Sequence, residues 1–334
     1  MQESATSLLR CPRCRAEGGF DLSARERDAR EVRDGSLACR SCRGEFPVVR
    51  GVADLLHDPP EFVEREAAGL ERFAELMRSD GWDKERILRL PDEQSGYWFG
   101  QAVSMQQLLE TVDFRPGQRL LDIGSNTCWA SNIFAERGLE VVALDIAFTE
   151  MQGLFTSDWW FERNGVYFER LRSLMFDQAI ASNSMDYVLA CEVLHHNDLE
   201  TLDRTFAEIY RVLKPGGQLL NINEQMRFPL ELKHDHAQEV AEFEGYEHVF
   251  FFHQYWRAAR RAGFPGIRVL EPPYDPFFRN DPYQLDAGTP VADSVKIAAL
   301  QLVRKAKLGR KLYLAYRTLV RGRLSLNAIY TKPA

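Results

Sequence analysis

The chain has 334 residues, 45% of them hydrophobic, and a net charge of −7, so it can bury a core and is not an intrinsically disordered chain. The acidic balance disfavours general binding to nucleic acid, although a local basic patch remains compatible with it. The first ten residues include Glu3 and lack an apolar leader, and no apolar run reaches membrane-spanning length. These features predict a cytoplasmic protein whose six cysteines are metal ligands or buried thiols rather than disulfides.

Two Cys-x-x-Cys pairs stand near the N-terminus, Cys11 with Cys14 and Cys39 with Cys42. Doubled pairs of this kind are typical of a tetrahedral zinc site with four thiolate ligands. The charged stretch from residue 25 to 35 is predicted to be a hairpin loop that accommodates the long gap between the pairs. Four thiolates leave no open coordination position, so the predicted zinc is structural. The alternative is two unrelated thiol pairs on a surface arm.

The next part of the chain, residues 58–118, is predicted to be helical. Glu61 to Met77 and Trp98 to Phe114 both carry apolar residues at helical spacing. Tyr97, Trp98 and Phe99 either form part of a lid over a ligand or pack into the core.

The stretch from Arg119 to Ile146 is predicted to fold as strand, tight turn, helix and strand. Leu120, Leu121 and Ile123 form a short apolar run without polar alternation, as expected of a strand buried on both faces of a parallel sheet. Gly124 permits the turn, Ser125 and Asn126 are predicted helix N-caps, and the helix is predicted over residues 126–137. A second strand ends at Asp145, which can accept hydrogen bonds from a ribose diol.

The spacing Asp122-x-Gly124-x-Asn126-x-Cys128 keeps only the first glycine of a dinucleotide fingerprint. A pyrophosphate needs close backbone approach at the second glycine, so this pattern argues against NAD. It suits a ligand without phosphates, because a carboxylate at this turn can meet the ammonium group of an amino acid. S-adenosylmethionine is such a ligand.

At this point the sequence resembles the class I S-adenosylmethionine-dependent methyltransferases, whose first motif is similar to Leu121-Asp122-Ile123-Gly124. The resemblance implies that the cofactor is held by the residues of the first turn, of the second strand end and of the later strand ends: Asp122, Gly124, Ser125, Asn126, Asp145, Ile146, Leu174, Met175 and Cys191. It also predicts an acid after the third strand that binds the adenine amino group. Leu174 and Met175 occupy that place, so either backbone groups near Met175 or a shifted Asp177 is expected to bind the adenine.

The segment after Phe46 resembles the end of the zinc-ribbon module that serves as an activator subunit of some methyltransferases and is fused to the front of others. Downstream of Asp145, residues 147–164 are predicted to form a helix with an aromatic stripe, namely Phe155, Trp159, Trp160 and Phe161. This stripe is expected to pack on the sheet, with a substrate-stacking role as the alternative.

The segment from Ser184 to His196 resembles the fourth strand of the family and the turn that follows it. Cys191 and Glu192 are therefore candidates to line the methionine end of the cofactor, with His195 and His196 beside it. A histidine there can act as a general base for a hydroxyl or an amine. The alternative is that both histidines order the turn, because methyl transfer can proceed by proximity and in-line alignment alone.

The remaining motifs complete the family order. Residues 199–213 are predicted to form a helix that ends at Lys214-Pro-Gly-Gly217, a turn similar to the post-cofactor motif of the family, before a fifth strand from residue 218 to 224. Residues 254–262 are predicted as a helix, residues 267–270 as a sixth strand and residues 324–330 as a seventh.

The segment between the fifth strand and residue 253 is acidic and rich in histidine. His234 and His236 can share one face of an extended segment. Three interpretations remain open: a catalytic base, a second metal site assisting a hydroxyl substrate, or a solvated lid.

A basic segment runs from Lys296 to Arg323. It contains nine lysines and arginines, no acidic residue and interleaved leucines. Such a segment can meet an anionic membrane surface, RNA or an acidic substrate, or it can dock its apolar side on the domain.

Together these features predict an α/β protein with a seven-stranded, mostly parallel, Rossmann-like sheet, helices on both faces and a small N-terminal zinc ribbon. The predicted domains are the ribbon at 1–57, a helical linker or lid at 58–118 and the methyltransferase domain at 119–334, with cap insertions at 225–253 and 275–323. The resemblance implies methyl transfer from S-adenosylmethionine, and O- or N-methylation is the predicted reaction. The acidic chain, its aromatic candidates and the long cap suggest a small or lipophilic acceptor. The alternatives are an RNA base methyltransferase and a non-catalytic partner that binds S-adenosylmethionine or has lost that binding.

Overall fold

The structure is a computed structural model, and it describes residues 1–92, 96–227, 238–240, 245–273, 302–303, 305–319 and 325–334. The strands are β1 (Phe20–Arg27), β2 (Val32–Cys39), β3 (Glu45–Val49), β4 (Val52–Asp54), β5 (Arg119–Ile123), β6 (Glu140–Asp145), β7 (Glu169–Arg172), β8 (Met185–Cys191), β9 (Leu213–Glu224), β10 (Met226–Arg227), β11 (Gln238–Val240), β12 (Gly245–Glu247), β13 (Phe250–Phe251), β14 (Arg268–Val269) and β15 (Leu326–Thr331). The helices are α1 (Glu61–Ser79), α2 (Lys84–Ile87), α3 (Gly96–Thr111), α4 (Trp129–Glu136), α5 (Ser157–Asn164), α6 (Leu199–Val212), α7 (Phe252–Ala262) and α8 (Lys307–Leu319).

The main sheet has the strand order β1-β2-β3-β4-β7-β6-β5-β8-β9-β15-β14. The five strands from β7 to β9 are mutually parallel, whereas β15 runs antiparallel to β9 and β14 antiparallel to β15. These seven strands confirm the predicted Rossmann-like architecture. The count for the whole sheet is eleven rather than the predicted seven, because the four N-terminal strands add to the same sheet.

The N-terminal hairpins join the sheet through β4, which pairs in parallel with β7 so that Val52 lies opposite Arg170. Arg170 is buried, and its guanidinium forms an ion pair with Glu31, which lies beside β2. The Arg170 guanidinium also contacts Asp158 of α5 at 3.1 Å. A buried ion pair of this kind fixes the register of two segments, because removing either charge would leave the other without compensation.

Local sequence explains where several elements begin and end. Asp198 caps α6 by accepting a hydrogen bond from the backbone N–H of Thr201 at 2.7 Å, and the Thr201 hydroxyl lies 2.9 Å from the Asp198 N–H. Gly263, with φ of +113°, ends α7 as predicted. The helices predicted from Glu61 and from Trp98 are confirmed as α1 and α3.

Two helix predictions need correction. The helix expected over residues 126–137 begins only at Trp129, because Asn126 and Cys128 adopt left-handed backbone conformations with φ of +45° and +57°. Ser125 and Asn126 therefore lie in the turn and are not N-caps. The helix expected over residues 147–164 is confined to a single 3₁₀ turn at Leu154–Thr156 followed by α5.

The predicted cap segments are described in part. Within residues 225–253 the chain forms two small two-stranded sheets, β10 with β13 and β11 with β12. His234 and His236 lie outside the described residues. In the basic C-terminal segment the described helix α8 confirms the helical prediction over Lys307–Leu319. Across the described parts of the chain, no helix combines the length and the apolar character that spanning a membrane requires.

Candidate active site

A cavity of about 620 Å³ opens at the carboxyl ends of β5, β6, β7 and β8, beneath α1 and α3. Its volume lies in the range of small-molecule and cofactor sites. The sequence-predicted residues that line it are Asp122, Gly124, Ser125, Asn126, Asp145, Ile146, Met175, Cys191, Glu192, His195 and His196. Ligand sites in open parallel sheets form at this edge, so the structure brings the predicted residues to the expected place.

The turn after β5 depends on Gly124. Its φ is +66°, and a Cβ atom there would lie 2.3 Å from Cγ2 of Val193 in the turn after β8. The Gly124 N–H donates to the Leu144 carbonyl of β6 at 2.8 Å. A side chain at this position would separate the turn after β5 from the turn after β8.

Asp145 ends β6 with both carboxylate oxygens engaged by backbone. One oxygen accepts from the Asn126 N–H at 2.8 Å, and the other accepts from the Ile146 and Ala147 N–H groups at 2.7 and 2.9 Å. Burial raises the pKa of Asp145, and these three hydrogen bonds oppose that rise. The carboxylate thus holds the first turn against the end of β6 and still faces the cavity.

Asp122 is buried at the floor of the same cavity. The Ser131 hydroxyl of α4 donates to its Oδ2 at 2.6 Å. Burial, together with the nearby charge of Asp145, raises the pKa of Asp122 to about 7, although the bond from Ser131 opposes the change. A buried carboxyl with this pKa gains its charge most readily when a cation enters the cavity.

The third strand ends at a different pair of side chains from those expected. Ser173 and Met175 line the cavity, whereas Leu174 packs away from it in a small apolar cluster with Val63 and Phe176. Asp177 is turned toward the ribbon, where its Oδ2 accepts a hydrogen bond from Nη2 of Arg15 at 2.7 Å. The strand has ended at Arg172 and the chain turns at Met175, so Met175 lines the cavity and also packs against the cluster that contains Leu174.

The turn after β8 presents Glu192 in a left-handed conformation, with φ of +51°. Its carboxylate accepts hydrogen bonds from the Tyr97 hydroxyl at 2.5 Å and from the Gln101 amide, both on α3. Burial raises the pKa of Glu192 despite these bonds. The Cys191 thiol donates to the side-chain amide oxygen Oε1 of Gln101 at 3.2 Å, so α3 is tied to the carboxyl end of β8.

The predicted lid residues divide between the cavity and the surface. Tyr97 and Trp98 line the cavity, while Phe99 is exposed and lies outside its lining. Trp98 packs between Trp82 and Trp129, with ring centroids 6.2 Å apart in both pairs. The aromatic stripe of residues 155–161 contributes no residue to the cavity lining and packs in the core and at its margin, which agrees with the packing interpretation.

His195 is held by the fully buried carboxylate of Glu224 at the end of β9. Nδ1 of His195 lies 2.9 Å from Oε1 of Glu224, and Tyr255 of α7 donates its hydroxyl to the same oxygen at 3.1 Å. The backbone N–H groups of Val193, Leu194 and His195 also donate to Glu224. Burial alone would raise the pKa of Glu224, but the adjacent imidazole of His195 and these hydrogen bonds outweigh it and lower the pKa.

The two histidines of the turn have different partners. Nδ1 of His196 lies 2.5 Å from a carboxylate oxygen of Glu66 on α1, and the His195 and His196 ring centroids are 4.4 Å apart. In neutral His195 a proton on Nδ1 that faces Glu224 leaves Nε2 as the acceptor nitrogen. The two histidines therefore connect the turn to both elements that cover the cavity. The His195 carbonyl accepts a hydrogen bond from the His248 N–H of the cap, and His196 contacts Glu66 of α1.

The described cavity lining contains carboxylates and no lysine or arginine. Its acidic members are Glu66, Asp80, Asp122, Asp145 and Glu192. Gln101, Gln152, Gln225 and Asn126 add amide groups. Such a lining favours cations and hydrogen-bond donors and disfavours anionic ligands, because an anion would meet uncompensated negative charge in a low-dielectric site.

Four residues that form or support the site were not predicted from the sequence, namely Glu224, Tyr255, Gln101 and Glu66. Glu224 could have been predicted from the sequence. It is the first acid after the apolar run of β9, and it lies at the same sheet edge as Asp122 and Asp145. Glu66 and Gln101 lie on amphipathic helices whose position over the sheet is set by tertiary packing, so their spacing alone gave no indication.

The four N-terminal thiols converge as predicted. The Sγ atoms of Cys11, Cys14, Cys39 and Cys42 lie within 4.8 Å of one another. Two Sγ–Sγ distances, Cys11 to Cys42 and Cys14 to Cys39, are 3.6 Å. Four thiolates about 2.3 Å from a tetrahedral centre stand roughly 3.8 Å apart, so this geometry fits a zinc ion.

In a comparison with known protein families, residues 121–221, from β5 into β9, match the methyltransferase domain family. Residues 121–221 therefore form a methyltransferase domain. Its order of parallel strands and the cavity at their carboxyl ends agree with this family.

The methyltransferase domain is similar to parts of two curated proteins. One is the biotin biosynthesis bifunctional protein BioHC of Cellvibrio japonicus, which is 33% identical over 199 residues, covering 54% of this chain and 36% of that protein. The other is phosphoethanolamine N-methyltransferase 2 of Caenorhabditis elegans, which is 30% identical over 110 residues, covering 32% of this chain and 24% of that protein. The chain thus matches only about a third and a quarter of the lengths of these relatives.

Two solved structures are also similar to the chain. One belongs to a complex between the Haloferax volcanii Trm112 methyltransferase activator and a candidate methyltransferase, with 16% identity, a TM-score of 0.48 and coverage of 80% of this chain and 98% of that one. The other is Haemonchus contortus phosphoethanolamine N-methyltransferase 2 with S-adenosyl-L-methionine, with 20% identity, a TM-score of 0.44 and coverage of 78% and 60%.

The raised pKa of Asp122 predicts a pH-dependent stability. The pKa of Asp122 is about 7 in the folded protein and 3.8 ordinarily. As the pH rises from 3.8 to 7, Asp122 therefore ionises in the unfolded chain before it ionises in the folded one, which destabilises the protein without ligand. We expect Asp122→Asn to remove this loss and to be more stable than the parent by roughly 2–4 kcal/mol at about pH 8, with a smaller difference at about pH 5. Urea unfolding of both proteins at the two pH values measures the difference in their free energies of unfolding. An equal difference at the two pH values would contradict the prediction.

Proposed function

We propose that the protein transfers a methyl group from S-adenosylmethionine to a hydroxyl or amino group of a small or lipophilic acceptor. The single observation that supports this most directly is the cavity at the sheet edge, where Asp122, Asp145 and Glu192 face one space with His195. The match of residues 121–221 to methyltransferase domains supports the same assignment.

The residues present fit S-adenosylmethionine. Asp122 would meet its ammonium group, Asp145 its ribose, and Ser173 with Met175 its adenine, since each lies at the strand end where that part of the ligand is expected. When bound, the cofactor supplies a sulfonium-activated methyl group. The chain itself then has to bind the acceptor, align it and, for a hydroxyl or ammonium group, accept a proton.

His195 is the best-placed base. Glu224 orients the imidazole of His195 through Nδ1. The lone pair on Nε2 can then accept a proton from the methyl acceptor. Glu192 is a weaker candidate, because its carboxylate is already occupied by Tyr97 and Gln101. His196 is engaged with Glu66 and is better suited to holding α1 over the cavity.

The charge of the lining narrows the acceptor to a neutral or cationic molecule. Five carboxylates without a lysine or arginine in the described lining disfavour an acceptor that carries a phosphate group. This argues against the RNA alternative, because an RNA base reaches an active site with its phosphates close by. The indole rings of Trp82, Trp98 and Trp129 offer apolar contact area for the carbon skeleton of the acceptor.

We also infer that the four thiols hold a structural zinc ion. The thiols converge in a geometry that fits a tetrahedral site, and Cys11 and Cys39 are buried. No position would remain for a substrate, so the ion would stabilise the hairpins and, through β4, the edge of the main sheet.

Binding of the demethylated cofactor tests the assignment most directly. We expect S-adenosylhomocysteine to raise the melting temperature of the protein and to bind in calorimetric titration, whereas Asp145→Asn weakens binding at least tenfold by losing a charged acceptor for the ribose. Asp21→Asn, an exposed acid on β1, is the matched control and should bind normally. Absence of any binding by the parent protein would refute the proposed function.

Substitution of the proposed base separates chemistry from binding. We expect His195→Gln to keep the affinity for S-adenosylhomocysteine but to lower methyl transfer to a panel of hydroxyl and amine acceptors by roughly 10²- to 10⁴-fold. His253→Gln, an exposed histidine of α7, serves as the control. Unchanged transfer rates in His195→Gln would assign His195 an ordering role in the turn instead.

Removal of the metal tests the zinc proposal. We expect about one zinc per chain in elemental analysis and a loss of stability when a strong chelator is added, because the hairpins would lose their cross-link and β4 would lose its support against β7. Cys14→Ser should lower the zinc content, while Cys128→Ser, outside the cluster, should leave it unchanged. A protein purified without zinc and indifferent to the metal would overturn this assignment.

A further inference from the structure

The helix α8 exposes an apolar stripe. Leu308, Leu312 and Tyr316 follow one another at intervals of four residues, and their exposed fractions are 68%, 62% and 46%. Residues this far apart lie above one another on one face of a helix. Just before the helix, Leu302 is 75% exposed. Isolated exposed leucines are ordinary, but an aligned row of large apolar side chains marks an interaction surface.

The same segment concentrates positive charge in an acidic protein. Residues 296–323 contain nine lysines and arginines and no acid, although the chain as a whole carries −7. Among the described side chains, Lys305 and Lys311 are exposed close to the apolar stripe. Within the described residues, the surface therefore combines exposed apolar side chains with two exposed lysines.

The opposite side of α8 is attached to the protein. Arg310 forms an ion pair with Glu271, with its Nε 2.9 Å from Oε1, and Tyr313 and Leu314 are half-buried. The amide of Gln107 on α3 donates to the Glu271 carbonyl at 2.5 Å. Because Tyr97, Trp98 and Gln101 of α3 line the cavity, the helix with the apolar stripe is anchored beside the element that covers the active site.

We propose that α8 docks this protein on an anionic lipid bilayer, with the stripe of Leu308, Leu312 and Tyr316 inserted at the level of the head groups. An amphipathic helix whose polar side is basic binds such a surface by burying apolar area while its cations meet the negative lipids. The helix lies in the plane of the interface, because the protein behind it remains in water. A bilayer-borne acceptor would then be available close to α3.

Charge and shape favour a bilayer over two other occupants. RNA would engage the lysines and arginines but would leave the exposed leucines in contact with water or phosphate. A second copy of the chain would bring two strongly cationic helices together, and like charges at short range repel. Only an anionic surface with a hydrocarbon layer satisfies both the cations and the leucines.

Vesicle flotation with the full-length protein tests the docking. We expect the protein to float with vesicles of phosphatidylcholine mixed with phosphatidylglycerol and to bind pure phosphatidylcholine at least tenfold more weakly, given roughly fivefold per cation near an anionic surface. The double variant Leu308→Ser/Leu312→Ser should lose binding at least tenfold, and Lys305→Gln/Lys311→Gln should lose it on the anionic vesicles only.

The matched control is Leu76→Ser/Leu199→Ser, which removes two exposed leucines from α1 and α6 and should bind vesicles normally. All four substituted leucines are exposed, and an unchanged thermal melt verifies the fold of each variant. The proposal would be overturned if the parent protein did not float with the vesicles, or if the control variant lost binding as strongly as the α8 variants. It would also be overturned if the protein bound an RNA oligonucleotide in preference to vesicles, or if it formed concentration-dependent dimers that the α8 variants abolish. Flotation needs no cofactor, so its outcome is independent of the proposed methyl transfer.

Discussion

The carboxylate of Glu224 is the contact on which the site depends. It ends β9 and accepts hydrogen bonds from three consecutive backbone N–H groups of the turn after β8, and it also contacts His195 and Tyr255. One buried charge thus fixes the turn that carries Glu192, His195 and His196, and it links that turn to α7. Its burial is costly, and the number of donors around it offsets the cost.

The other acids at this sheet edge are less well satisfied. Asp122 receives one side-chain hydrogen bond, and burial leaves its pKa at about 7. Glu192 also has a raised pKa, although two side chains of α3 contact it. A protein selected for stability alone would place apolar groups here, so incompletely compensated carboxylates indicate a site prepared for a cationic ligand.

The sequence predicted those parts of the fold that depend on local chemistry. The apolar run before Gly124, the acid that ends β6 and the end of α6 before Lys214 each reflect a backbone or charge requirement within a few residues. The segment Lys214-Pro-Gly-Gly217, predicted as a turn before the fifth strand, instead lies within β9, where the pairing with β8 is irregular. The left-handed conformation of Cys128 was not predictable, because cysteine seldom adopts a positive φ, whereas asparagine, as at Asn126, adopts it more often. Glu66 and Gln101 were missed because α1 and α3 reach the cavity only through long-range packing.

The parallel pairing of β4 with β7 makes the N-terminal hairpins that carry the four-cysteine cluster part of the outer wall of the main sheet. A truncated chain that began after β4 would expose the backbone N–H and C=O groups of β7 and would also leave Arg170 without Glu31. Open strand edges recruit other chains, so such a fragment would be prone to self-association rather than yield a minimal enzyme. The N-terminal hairpins therefore protect the methyltransferase domain from aggregation, whatever further role they have.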